Sequence, residues 1–326
     1  MRSVVPRLAI VITAVGTIES LEGTLVSVLE NRPDDCEVVV ALNQEYADPY
    51  DLRDEVRFLP PTGRKATVAA INTALAATRA PFVHLLASGC LVSEGWADVA
   101  LARFDRRTAA VVPLVLDADD SSRIVAAGVG YHQRGQRYLV GRGQTGLDAA
   151  ALKTVRGPGL FAAFYRKAAL DIVGGFSTQL GPRQADVDLA MLLSTAGFDV
   201  AVEHGCCVRA GEGVDAGGSA FREALSEERL FWRNSGSAGG IGKWLSHAAL
   251  VAQDVGRRAP RPSALAALAG RAWGFWQPGY TRHRRLQAEL AARAVPQRLE
   301  SDNLRFDRSH AGLGRSKKGR RRSSAI

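Results

Sequence analysis

Residues 185–188 read Ala-Asp-Val-Asp at the head of a helical stretch and put two carboxylates, Asp186 and Asp188, in its first turn. A carboxylate there is favoured by the positive end of the helix dipole and can point into a cleft, where it could take a proton. The plainer reading is that Asp186 or Asp188 only caps or decorates the turn. A basic pair, Arg64 and Lys65, follows a Pro-Pro-Thr-Gly turn and stands at a second helix start. It could neutralise phosphates; the alternative is a solvated surface pair. Arg142 and Arg156 flank glycine-rich loops and are weaker candidates of the same kind. The six histidines do not cluster, and His84 falls inside an apolar strand pattern that reads as core. Cys36, Cys90, Cys206 and Cys207 contain no C-x-x-C, so neither a zinc knuckle nor a disulfide framework is expected. A reducing, cytoplasmic compartment fits that usage. The Gly-Pro-Gly at 157–159 precedes no Lys-Ser/Thr, which excludes an NTPase phosphate loop.

These residues must be positioned by the elements between them. Residues 8–13 (LAIVIT), 37–42 (EVVVAL), 82–86 and 109–116 are continuous apolar runs, the pattern of buried parallel strands. Residues 56–59 form a shorter one. Helical spacing covers 18–30, 65–78 and 96–104. The order β-α-β-β-α-β-α-β implies a mostly parallel sheet with helices on both faces. Ligands then sit at the carboxyl ends of the strands, in the loops after Thr13, Leu42, Leu59 and Leu86. Residues 117–150 are rich in Gly, Arg and Asp and read as short strands and a mobile loop. A strand at 160–165, a helix at 184–196 stopped by Gly197, and a strand at 199–202 follow. Further helices are expected after 220, at 243–255, 263–274 and 280–294.

The chain has 326 residues and a net charge of +9, unevenly placed. Residues 257–326 hold 17 Lys+Arg against 4 Asp+Glu, and residues 1–256 hold 25 against 29. Residues 303–326, ending in RSKKGRRRSSAI, read as a disordered tail with salt-dependent affinity for polyanions, not as a specific nucleic-acid site. Trp273, Phe275, Trp276 and Tyr280 stand among Arg271, Arg282, Arg284 and Arg285. That mixture suits a membrane interface or a nucleic acid; the preferred reading is a helical appendage that packs its aromatics on the main domain. No run of about 18 apolar residues occurs, so no transmembrane helix is expected.

Five segments, in order over residues 7–210, carry a resemblance to family 2 glycosyltransferases. They are LAIVITAVG with SLEGTLVSVLE; EVVVALN; ATVAAINTALAAT; PFVHLLASGCLVSEGW with FAAFYRKAALDIVGGF; and ADVDLAMLLSTAGFDVAVEHGCCV. The resemblance implies the α/β fold called GT-A, with a mostly parallel central sheet flanked by helices and a C-terminal helical extension. The implied organisation is a GT-A domain at 1–220, a helical region at 221–300 and a basic tail at 301–326. It makes Asp186 the catalytic base. Thr13, Asn43, Asn72 and Ser88, with Arg64 and Lys65, fall on the donor side, and Gly174, Gly175, Phe176 and Asp188 on the acceptor side. The family's acidic residues near the donor are replaced by Leu42, Ala87 and Gly89, so no metal site and no cofactor are expected. The implied activity is inverting transfer from a nucleotide-sugar donor to a glycan or lipid-linked acceptor without an essential metal. The alternative is a catalytically silent relative that binds a sugar nucleotide, a glycan or a protein. The expected location is cytoplasmic, with peripheral contact at the inner membrane surface through the basic end.

Overall fold

Strand runs alternate with helices through the first half of the chain, and helices alone close it. The order is β1 (Leu8–Thr13), α1 (Ile18–Asn31), β2 (Cys36–Ala41), β3 (Val56–Leu59), α2 (Thr67–Ala77), β4 (Phe82–Ala87), β5 (Cys90–Leu91), α3 (Trp96–Leu101) and β6 (Thr108–Asp117). Then come β7 (Ile124–Ala126), β8 (Val129–Tyr131), β9 (Arg137–Leu139), α4 (Ala149–Leu152), β10 (Ala162–Arg166), α5 (Lys167–Val173), α6 (Pro182–Thr195) and β11 (Asp199–Ala210). Four helices follow: α7 (Ala220–Asn234), α8 (Ile241–Arg258), α9 (Pro262–Gly274) and α10 (Tyr280–Arg293). This computed structural model describes residues 5–63, 66–132, 135–235, 241–277 and 279–293. The described residues belong to one compact unit; residues 297–326, and with them the expected basic tail, lie outside the described residues.

The central sheet runs β3-β2-β1-β4-β10-β6-β11-β5, with β7 also on β6; β8 and β9 form a separate hairpin. Pairing is parallel from β3 through β4 and between β6 and β11, while β10 runs antiparallel between β4 and β6. Along β1, Leu8, Ile10 and Ile12 enter a core with Leu25 and Trp96 on the side of α1 and α3. Ala9 and Val11 enter the opposite core, with Ile71 and Leu170 on the side of α2 and α5. Both faces are covered, so the strand reads as unbroken apolar sequence. His84 is a core residue: it stacks on Phe164 at 3.8 Å, and burial lowers its pKa to about 3. In register, Thr13 aligns with Ala41 and Ala87. The ends of β1, β2 and β4 therefore finish level and leave a crevice beyond them.

The last strand exceeds its sequence expectation. It continues past 202 to Ala210 by way of a register shift between Glu203 and Cys207. The C-terminal aromatics correct their preferred reading: Trp273, Phe275 and Trp276 stay exposed. Glycines take the packing role instead. A Cβ on Gly270 would lie 2.2 Å from the Phe221 carbonyl oxygen, and one on Gly274 would lie 2.5 Å from the Glu228 Cβ. Helix α9 thus meets α7 through Gly270 and Gly274, with Arg271 buried between them, and leaves Trp273 outside. No helix among the described residues is long and apolar enough to cross a membrane.

Candidate functional site

A cavity of about 300 Å³ opens beyond the ends of β1 and β4. Thr13, Val15 and Ala87 form its floor, Thr67 and Ile71 of α2 one side, and Leu160 and Phe161 another. Gly181, Pro182, Arg183 and Gln184 open α6 on the wall, at the positive end of the helix dipole. Residues 214–218 and Arg222, Glu223 and Ser226 of α7 complete it. The Ser226 hydroxyl accepts from the Gly181 N–H at 3.0 Å and so ties the α6 start to α7.

Asp186 lines this cavity from the first turns of α6 and is almost wholly buried. Arg137 of β9 grips it: Nη2 donates to Oδ2 at 2.7 Å and Nε lies 3.1 Å from both oxygens. The same guanidinium donates through Nη1 to Asp215 at 2.7 Å. Arg183 lies 3.4 Å from Asp215 and pairs with Glu223 at 2.7 Å. The cavity wall is thus one network of alternating charge. Burial pushes the Asp186 carboxyl up to about 6, against the pull of Arg137. Burial works the other way on Arg137, but Asp186 and Asp215 outweigh it and hold the guanidinium above its usual range. The partners therefore feel the pair differently. The carboxyl's rise is the one with consequences near neutral pH, because the guanidinium stays ionised throughout. A buried carboxylate titrating near 6 is suited to accept a proton at neutral pH.

The residues expected at a site from sequence are spread over several roles. Thr13 and Asp186 reach the cavity. Asn43 follows the end of β2 away from its wall, and Arg64 and Lys65 lie outside the described residues. Asn72 braces the chain instead: its side chain donates to the Phe176 carbonyl at 2.8 Å and accepts from the Phe176 N–H at 3.1 Å. Gly174 and Gly175 form the left-handed turn so held, at φ +80° and +73°. The Ser88 hydroxyl is spent on the Val15 carbonyl. Its neighbour Gly89, at φ +89°, donates to the Thr24 hydroxyl at 2.9 Å, so the 87–89 turn is stapled to α1. Asp188 points away from the cavity, 3.6 Å from Arg233 of α7 and 3.8 Å from His283 of α10. Burial raises Asp188 to about 6 and lowers His283 to about 4.

Sequence reasoning missed Arg137, Arg183, Asp215, Arg222 and Glu223. Arg137 sits in the glycine-rich stretch read as short strands and a mobile loop, where one inward-facing Arg leaves no periodic signal. Asp215, Arg222 and Glu223 lie beyond the segments that carry the resemblance.

Neither a protein-family model nor a curated protein matches the chain. Solved structures do. The mannosyltransferase PcManGT from Pyrobaculum calidifontis, in complex with GDP-Man and Mn²⁺, superposes with a TM-score of 0.52 at 19% identity, over 90% of this chain and 87% of its own. GalNAc-T7 with UDP, GalNAc and Mn²⁺ gives 0.54 at 11%, over 88% of this chain and 59% of its own. S. aureus TarS 1–349 gives 0.52 at 13%, over 87% and 89%. The fold is that of the GT-A-like glycosyltransferases.

These structures correct one expectation. A transferase without a divalent cation was expected, yet two of the three were solved with Mn²⁺ beside a nucleotide or nucleotide sugar. The side chains present here do not match a tightly bound metal ion. Among the described residues no three His, Cys, Asp or Glu side chains come together as a ligand set. The cavity carboxylates Asp186, Asp215 and Glu223 are engaged by Arg137 and Arg183, and the 87–89 turn offers Ala, Ser and Gly.

Proposed function

We infer that this chain is an inverting glycosyltransferase with Asp186 as its base. The observation that carries the reading is the buried Asp186 carboxylate, raised to about 6, on the wall of a cavity at the strand ends of a GT-A-like fold. In the proposed step an acceptor hydroxyl oxygen bonds to the anomeric carbon of a nucleotide sugar. The bond from that carbon to the diphosphate oxygen breaks. The hydroxyl proton passes to Asp186, and the negative charge leaves on the nucleoside diphosphate. Arg183, Arg222 and the N-terminus of α6 face the cavity and suit that charge. A glycan or lipid-linked molecule is the acceptor.

The test is a panel of nucleotide sugars, assayed for donor hydrolysis and transfer with Mn²⁺ in the buffer, since two similar structures hold that ion. Asp186→Asn should lower turnover by about 10²–10⁴-fold while donor binding persists. Full turnover in that variant would end the assignment. One observation favours a second reading, a silent relative that binds a sugar nucleotide without transfer: the three-contact grip of Arg137 leaves Asp186 little room to receive a proton. Binding of a donor with no turnover under any condition would select it.

A further inference from the structure

An extended apolar surface lies away from the cavity. On α8, Ile241, Trp244, Leu245, Ala248, Val251, Ala252 and Val255 recur every three or four residues and line one side of a groove of about 1260 Å³. Trp232 of α7 and Leu268 and Phe275 at α9 line the other. Among the described residues the stripe stays open: Ile241 is 80% exposed, Leu245 65% and Phe275 64%, with Trp276 at 73% beside it. An open patch of this size marks an interaction surface. Its setting indicates the occupant. Arg257 and Arg261 are exposed at the end of α8 and just beyond it, and Arg282 and Arg285 on α10. They belong to a stretch, 257–293, with 8 basic residues against 1 acidic residue. A second copy would bring this positive surface against itself. An anionic bilayer matches both parts, with aromatics at the headgroup level and guanidinium groups on lipid phosphates.

We propose that the α8–α9 face is a monotopic membrane-docking surface that inserts Trp244, Leu245, Leu268, Phe275 and Trp276 into the headgroup region of an anionic lipid bilayer. The proposal stands independently of the chemistry at the cavity. It also places α7 between two tasks, since Arg222 and Glu223 reach the cavity while Phe231 and Trp232 reach the groove.

The full chain is mixed with vesicles of phosphatidylcholine alone or of phosphatidylcholine with phosphatidylglycerol. Sedimentation and tryptophan emission are both read. The expected result is co-sedimentation with the anionic vesicles and a blue shift of emission. Leu245→Asp with Leu268→Asp, both at exposed positions, should lower that partitioning about tenfold or more and abolish the blue shift. Circular dichroism of the double variant checks that it remains folded. Binding that is undiminished in the variant and gives no blue shift would overturn the proposal, since the basic residues would then act alone. No sedimentation, or equal partitioning into phosphatidylcholine, would overturn it as well. A dimer that the double variant abolishes would assign the face to a second copy and refute the lipid.

Discussion

Replacing Arg137 by methionine should destabilise the protein in a way that grows with pH. Arg137 is the cation in direct contact with Asp186, and that carboxyl is already up at about 6 because burial outweighs the pairing. Removing one partner of a buried pair costs about 3–5 kcal/mol. Part of that cost requires the remaining carboxylate to be charged. A group raised in the folded state contributes stability that is complete below its unfolded value and is lost as pH rises through its folded value. In the wild type that loss runs from the ordinary aspartate value of 3.8 to about 6 and then levels off. Raising one carboxyl that far makes folding about 3 kcal/mol less favourable at pH 7 than at pH 3. Without Arg137 the folded value climbs further, so the variant keeps losing stability above pH 6. Urea unfolding at pH 5 and pH 8 measures the difference, and the gap between variant and wild type should be wider at pH 8. Adding Asp186→Asn to the variant should recover much of the gap at pH 8. An equal gap at both pH values, with no recovery in the double variant, would refute the claim that an uncompensated buried charge is responsible.

Three further outcomes follow from the same contacts. Asn72→Ala removes both hydrogen bonds to Phe176 and should cost about 1–3 kcal/mol in urea unfolding; an unchanged midpoint would show that the bracket is dispensable. Gly270→Ala gains about 1 kcal/mol of helix propensity but puts a Cβ 2.2 Å from the Phe221 carbonyl. The clash should win by about 1–3 kcal/mol, so a higher melting temperature would mean that α7 and α9 separate freely. If Asp186 is the base, kcat/KM should fall as pH drops through about 6, and a flat profile down to pH 5 would exclude it.

The sheet was legible because burial on both faces writes strands as apolar runs, as residues 8–13 do. The helices at 263–274 and 280–294 were legible from spacing alone. Two-residue β5 was not, because it pairs only with Arg209 and Ala210 and carries no pattern of its own. The site was half legible. A carboxylate at a helix start is visible in sequence, but its partner Arg137 is 49 residues away on a three-residue strand. Asn72 was noticed, yet nothing local reveals that both ends of its amide are used on Phe176. The aromatics of 273–276 misled because large side chains usually pack, whereas here Gly270 and Gly274 hold the close contact.

The start of α7 has a consequence for how such a chain can be cut and recombined. Residue 220 closes the part that carries the strands, and a fragment ending there would keep every strand of the sheet. It would still lack Arg222, Glu223 and Ser226 from the cavity wall, and Arg233 and His283 from Asp188. The strand-bearing portion is therefore not a module that a gene fusion could borrow whole. Exchanging everything after residue 220 would exchange one side of the cavity while leaving the sheet untouched, so the helical end can reshape the cavity without altering the frame.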